Sequence, residues 1–204
     1  MPKTRNTKSA QSQATIERLV AAAKREFSTN GYARTATEDI VRQANCTRGA
    51  LYHHFKDKKD LFYAAFIASQ KEIGRRIEDE ADAEDDLWRS LISGCRAFLK
   101  ACSDPRLQQI VVIDAPSVLD WNAYRQVDLD LPGSGLWLLR ACLQGLLDQK
   151  KIQPLPVDAL THLLSGAMDE AALWVAQSRS PQQALSEALT TIEVLLEGIR
   201  LQSV

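Results

Sequence analysis

The 204-residue sequence predicts an all-α protein: an N-terminal three-helix domain with a helix-turn-helix, joined to a larger helical domain. Three observations predict it. Apolar residues recur at the spacing of a single helix face in almost every segment. No stretch alternates apolar and polar residues as a half-exposed strand would. Proline and glycine fall between the periodic segments, at Pro105, Pro116, Pro132-Gly133, Pro154, Pro156 and Pro181.

From Thr15, the residues Ile16, Leu19, Val20, Ala23 and Phe27 form one helical stripe, and Asn30-Gly31 supplies its stop. In "TATEDIVRQAN", Thr35 to Thr37 offer caps, Glu38 and Asp39 suit the positive helix start, and Ile40, Val41 and Ala44 face inward. Asn45 closes this short helix as a turn residue, and Thr47 caps the next, whose Leu51 and Phe55 point back to the core. Asp57 and Asp60 bracket the start of a long helix over about 58–78. Further helices are expected at about 85–102, 105–114, 135–151, 157–177 and 181–202, with an irregular break at Pro116. The domain boundaries follow: a flexible basic tail over 1–12, the helix-turn-helix domain over 13–73 and the second helical domain over 74–204.

Composition narrows the function. No run approaches the roughly 18 apolar residues of a membrane span. The start, MPKTRNTKSAQSQ, has no apolar signal core, and the four cysteines form no CxxC or Cys/His pattern. A cytoplasmic protein with reduced thiols, no metal and no cofactor is expected. Residues 1–60 carry 12 Lys and Arg against 6 Asp and Glu, a net of +6, whereas residues 61–204 carry 13 against 20, a net of −7. That asymmetry directs a polyanion to the first part.

"CTRGALYHHFKDKKDL", residues 46–61, identifies the contact. The second helix of a helix-turn-helix enters the DNA major groove with its N-terminal residues at base edges. Thr47, Arg48, Tyr52 and His53 lie off the face that carries Leu51 and Phe55, and all are donors suited to phosphates and bases. Gly49 removes bulk where the helix lies close to the duplex, and Lys58 adds charge at the free N–H groups of the next helix start. His53 and His54 point about 100° apart on a helix, so they do not chelate a metal together.

"GYARTATEDIVRQANCTRGALYHHFKDKKDLF" resembles the DNA-binding region of the TetR family of transcriptional repressors, over about residues 15–65. The resemblance implies phosphate contacts at Thr37, Thr47, Tyr52, His53 and Lys58, and positions near bases at Arg48 and Gly49. Asn45 stands where Gly is usual and Cys46 where Val is common; Asn tolerates the left-handed conformation. It also implies a homodimer on double-stranded operator DNA, released by a small organic inducer held in the second domain. Dimerisation in the family uses the last two helices, which here carry Leu164, Ala171, Leu189 and Leu196 on apolar faces with small residues between.

For the inducer, the aromatics and polar groups around "VVIDAPSVLDWNAYRQVD" suit a pocket wall. The candidates are Phe98, Cys102, Ile110, Asp114, Trp121, Tyr124, Trp137 and Met168, with Arg140 and Asp169 as further polar contacts. Two rival functions remain. One is a helical small-molecule-binding protein without DNA function. The other is a metal-dependent helical enzyme using "EDEADAEDD", residues 78–86, but such chemistry needs a second acidic site facing the first and none is present. No nucleophile elbow, P-loop or dinucleotide fingerprint occurs, so no catalytic residue is assigned.

Overall fold

The computed structural model describes residues 4–201, with the side chains of residues 4–8, 121–123 and 128 outside the described set. Helix α1 spans Thr4–Arg34, so residues 4–12, expected as a tail, continue the first helix. Gly31 breaks it with φ 74° and ψ 162°, a backbone that side-chain-bearing residues rarely adopt. Helices α2 (Thr37–Gln43) and α3 (Arg48–His54) follow. Between them Asn45 takes the left-handed conformation at φ 51°, and the Cys46 N–H reaches back to the Val41 carbonyl at 3.0 Å. The expected threonine cap of α2 is absent. Ala36 occupies the cap position, and buried Thr35 instead donates to the Gly31 carbonyl at 2.8 Å.

Helix α4 (Lys58–Ala81) is capped by Asp57, which accepts from Asp60 N–H, while Asp60 accepts from Lys56 N–H. Its buried face holds Leu61, Phe62, Ala65, Phe66, Ser69, Gln70, Ile73, Gly74 and Ile77. The first part of that stripe closes the small domain: Phe62 meets Phe27 and Tyr32 edge-on, both at 5.1 Å between ring centroids. The expected boundary near residue 73 therefore falls inside one continuous helix.

The second part comprises α5 (Leu87–Cys102), α6 (Pro105–Gln108), a π-helical turn (Gln109–Asp114), α7 (Ala115–Val118), α8 (Trp121–Asp130), α9 (Gly135–Asp148), α10 (Val157–Gln177) and α11 (Pro181–Glu197). Pro116 is not an irregular break. It lies in α7, which continues without a gap from α6 and the π-helical turn. Helix α8 lies in a stretch where the sequence suggested a pocket wall rather than a helix, and α11 ends five residues earlier than expected. There the chain turns into a single antiparallel bridge between Ile152 and Arg200. Within the acidic string at 78–86, Asp86 caps α5 through Trp88 N–H and Arg89 N–H and pairs with Lys151 at 2.5 Å. Glu84 accepts from the Ser93 hydroxyl, and Glu78 and Asp82 line the cavity of the second part.

An ionic chain ties the two parts together. Lys24 of α1 pairs with Glu72 at 2.6 Å, Glu72 with Arg76 at 2.7 Å, and Arg76 with Asp104 at 3.0 Å. Burial pushes the Glu72 carboxyl up, but Lys24 and Arg76 outweigh it and hold it below its ordinary value.

Helix α4 also meets the loop before α9 at the closest backbone approach in this region. A Cβ on Gly74 would stand 1.8 Å from the Gly133 carbonyl oxygen, a backbone atom with no room to retreat. Gly74→Ala should therefore lower stability by about 1–3 kcal/mol or more, read as a lower urea midpoint, although alanine is the better helix former.

Candidate DNA interface and ligand cavity

Thr47 caps α3, its hydroxyl accepting from Ala50 N–H at 3.1 Å, and this fixes which side chains the helix presents. Leu51 is fully buried and Phe55 nearly so, which leaves Thr47, Arg48, Gly49, Tyr52 and His53 exposed together. Arg48 lies 3.4 Å from Glu38 and over the Tyr52 ring at 5.6 Å, so its guanidinium is loosely held above the surface. Thr37 is half-buried at the start of α2, and its hydroxyl contacts the Glu38 carboxylate at 3.2 Å. The Glu38 carboxyl is held below its ordinary value by its own backbone N–H, by Thr37 and by Arg48.

Lys58 differs from expectation. It is half-buried, its ammonium 4.4 Å from the Tyr32 ring centroid, and the Asp57 cap already occupies Asp60 N–H nearby. Burial lowers its pKa, and the charge of Asp114 pulls it back up.

Gly49 is the informative residue. A Cβ there would meet only Thr47 Oγ1 at 3.9 Å, an ordinary contact. No contact within the fold requires a helix-weakening glycine on this exposed face.

In the second part, a cavity of about 670 Å³ lies among α4, α5, α9 and α10, with the π-helical turn and α8 closing it. Phe98, Cys102, Tyr124 and Met168 line it, as the sequence suggested. Three other candidates do not. Ile110 is fully buried in the core, because the π-helical turn rotates Val111 and Val112 to the wall in its place. Asp114 faces the small domain and accepts from Tyr32 N–H at 2.8 Å. Trp137 is 44% exposed on the outer side of α9. The Trp121 side chain lies outside the described residues, and Arg140 pairs with Asp158 at 2.8 Å on the surface.

Sequence reasoning left out much of the wall: Gln70, Glu78, Leu91, Cys95, Leu139, Cys142, His162, Ser165 and Leu173. Gln70 had a signal, being a polar residue on the apolar stripe of α4. The polar corner is built by Arg125, whose Nη1 donates to Asp169 at 2.9 Å and to Ser165 at 3.3 Å, with His162 Nδ1 3.5 Å from Nη2. Burial pushes the Asp169 carboxyl up to about 6 against the pull of Arg125. Burial also pushes the Cys95 thiol up to about 12 and Cys142 up to about 11, so both remain protonated and act as apolar wall rather than as nucleophiles. A mostly apolar cavity of this size with a few charged groups suits a small organic molecule held by shape and oriented by those groups.

On α10 and α11, Leu164, Ala171 and Leu189 are half-buried, and Leu196 is fully buried in the chain's own core. Leu196 therefore cannot face a second chain. Leu163 (73% exposed), Val194 (68%), Leu195 (57%) and Trp174 (45%) form the outward apolar set.

Two family models match this chain. One described as "Bacterial regulatory proteins, tetR family" matches residues 19–65, and one described as "Tetracyclin repressor-like, C-terminal domain" matches residues 88–199. A TetR-family transcriptional regulator from Pectobacterium atrosepticum has a solved structure that is 31% identical. It covers 99% of this chain and 100% of that one, with a TM-score of 0.81. The transposon Tn10 TetC protein of Escherichia coli is 26% identical over 155 residues, 76% of each chain. The regulator AcrR of Shigella flexneri is 41% identical over 64 residues, covering 31% of this chain and 30% of that protein.

Two predictions follow from this geometry. Gly49→Ala should raise stability by about 0.5–1 kcal/mol, because helix propensity improves and no clash arises, while weakening duplex DNA binding. Thermal melts and DNA titrations on one preparation read both signs. Asp169 holds a proton in the folded chain at a pH where the unfolded chain, at about 3.9, has released it. Its contribution to stability is therefore greatest below pH ~4, falls as pH rises to ~6 and is flat above. Asp169→Asn should remove about 1–3 kcal/mol of that decline, seen in urea midpoints between pH 4 and 7.

Proposed function

The chain belongs to the TetR family of bacterial transcriptional regulators, and from that premise we propose that it is a repressor whose homodimer leaves a palindromic operator when an organic molecule fills the cavity. The observation that carries this reading is the exposed run Thr47, Arg48, Gly49, Tyr52 and His53 on α3, containing a glycine that the fold itself does not require. Arg48 and Gly49 take the base-edge positions, and Thr37, Thr47, Tyr52, His53 and Lys58 take phosphates.

The second copy docks through Leu163, Trp174, Val194 and Leu195 on α10 and α11, an outward apolar set that an isologous contact covers twice. Pairing places the two α3 helices roughly 34–36 Å apart, one turn of duplex. An inducer with an apolar body and a group that answers Arg125 or Asp169 binds the cavity and favours a different spacing. Coupling of about 1–3 kcal/mol is expected of such a switch. The protein works in the cytoplasm, and the reading needs no catalytic step, metal or cofactor.

The test is binding to sites selected from randomised duplexes, with the bound mass checked for two chains per site. Arg48→Ala should lose about 1–3 kcal/mol mainly on the selected site. Lys58→Ala should weaken selected and random duplexes alike and reduce the log K versus log salt slope by about one unit. Wild-type affinity for both variants across several salt concentrations would falsify the groove assignment.

A further inference from the structure

The break at Gly31 takes the Tyr32 N–H out of the α1 ladder, and its acceptor comes from 82 residues away, the Asp114 carboxylate at 2.8 Å. Residue 31 is a glycine at φ 74°, a backbone that side-chain-bearing residues rarely adopt. A Cβ there would stand 3.3 Å from Gln109 Nε2 and 3.7 Å from Asp114 Oδ2. Asp114 is the last residue of the π-helical turn, and two residues earlier Val112 faces the cavity. On the other side, the Tyr32 ring carries the Lys58 ammonium at 4.4 Å, and the Asp114 charge favours its protonated form. Asp114 and Lys58 thus meet at one residue, Tyr32, the carboxylate on its backbone and the ammonium on its ring.

We propose that Asp114 is a positioning residue for operator binding, which docks the DNA-binding domain on the cavity-wall turn and restrains Lys58 over Tyr32. The inference rests on the operator reading above. It differs from a purely structural cap in the sign of one effect. A cap needs only an acceptor, which an amide oxygen also supplies. A restraint on Lys58 needs the negative charge, and that charge also repels DNA phosphates. Removing the charge while keeping the acceptor should therefore strengthen DNA binding, which loss of a merely structural group does not do.

The experiment uses the full-length protein, a selected operator and a random-sequence duplex. Asp114→Asn should fold and melt as wild type, keep the Tyr32 amide protected from exchange, and bind both duplexes roughly threefold to tenfold more tightly at low salt, with a steeper salt slope. In a Lys58→Met background the same change should gain less than about twofold, because the two side chains act through one contact. Asp114→Ala should expose the Tyr32 amide to fast exchange and bind more weakly than Asp114→Asn. If the amide disturbs the fold, Asp114→Ser offers an uncharged acceptor and repeats the test. Unchanged or weaker binding by a folded Asp114→Asn protein, beside a Lys58→Met protein that is itself weakened, overturns the proposal alone. The same holds if the gain survives in full without Lys58. A Lys58→Met protein with wild-type affinity and slope overturns the operator reading at Lys58, and this proposal with it.

Discussion

Everything in this structure is arranged along the buried stripe of α4. The helix runs about 36 Å, and its inward residues change neighbours along the way. Leu61 and Phe62 belong to the small domain, where Phe62 lies against Phe27 and Tyr32. Phe66 then meets Tyr124 of α8 at 5.5 Å. Gln70 and Ile77 end on the cavity wall, with Gly74 between them pressed against the loop before α9. A rigid rod buried at both ends cannot shift at one end without moving packing at the other. The same helix therefore contributes both to the packing beneath the helix-turn-helix and to the cavity wall.

The polar groups at the junction show how that rod is held. The Lys24–Glu72–Arg76–Asp104 chain and the Asp114–Tyr32 hydrogen bond both cross from the small domain to the second. They are partly buried, so screening by salt is weaker than at the open surface. Among the described residues, no fully buried side-chain nitrogen or oxygen lacks a partner. A junction satisfied by hydrogen bonds and ion pairs has geometrically defined alternatives, unlike a greasy contact that slides.

The cavity has a division of labour of its own. Thiols that burial keeps protonated, together with Phe98, Leu91 and Met168, belong to its apolar wall. A linked polar cluster there is the Arg125, Asp169, Ser165 and His162 corner. Asp169 is costly to keep ionised, so a ligand group that compensates it gains more than it would at the surface.

The sequence by itself determined the all-helical class, the helix-turn-helix and its exposed donors. Those features are local: period, caps and a left-handed residue such as Asn45 are decided within a few neighbours. Helix α10 was legible for the same reason, from its periodic run between Pro156 and Ser178. Only the tertiary structure decided which apolar residue faces which partner. Leu195 and Leu196 are neighbours of equal hydrophobicity, yet one is exposed and the other is fully buried, because helix rotation is set by packing against α5 and α10. Ile110, Val111 and Val112 divide between core and cavity through a π-helical turn that no pattern announces. Asp114 looked like a ligand contact from its neighbours in sequence. It contacts Tyr32, 82 positions earlier, whose N–H the Gly31 break takes out of the helix, a relation between distant residues that exists only once the chain is folded.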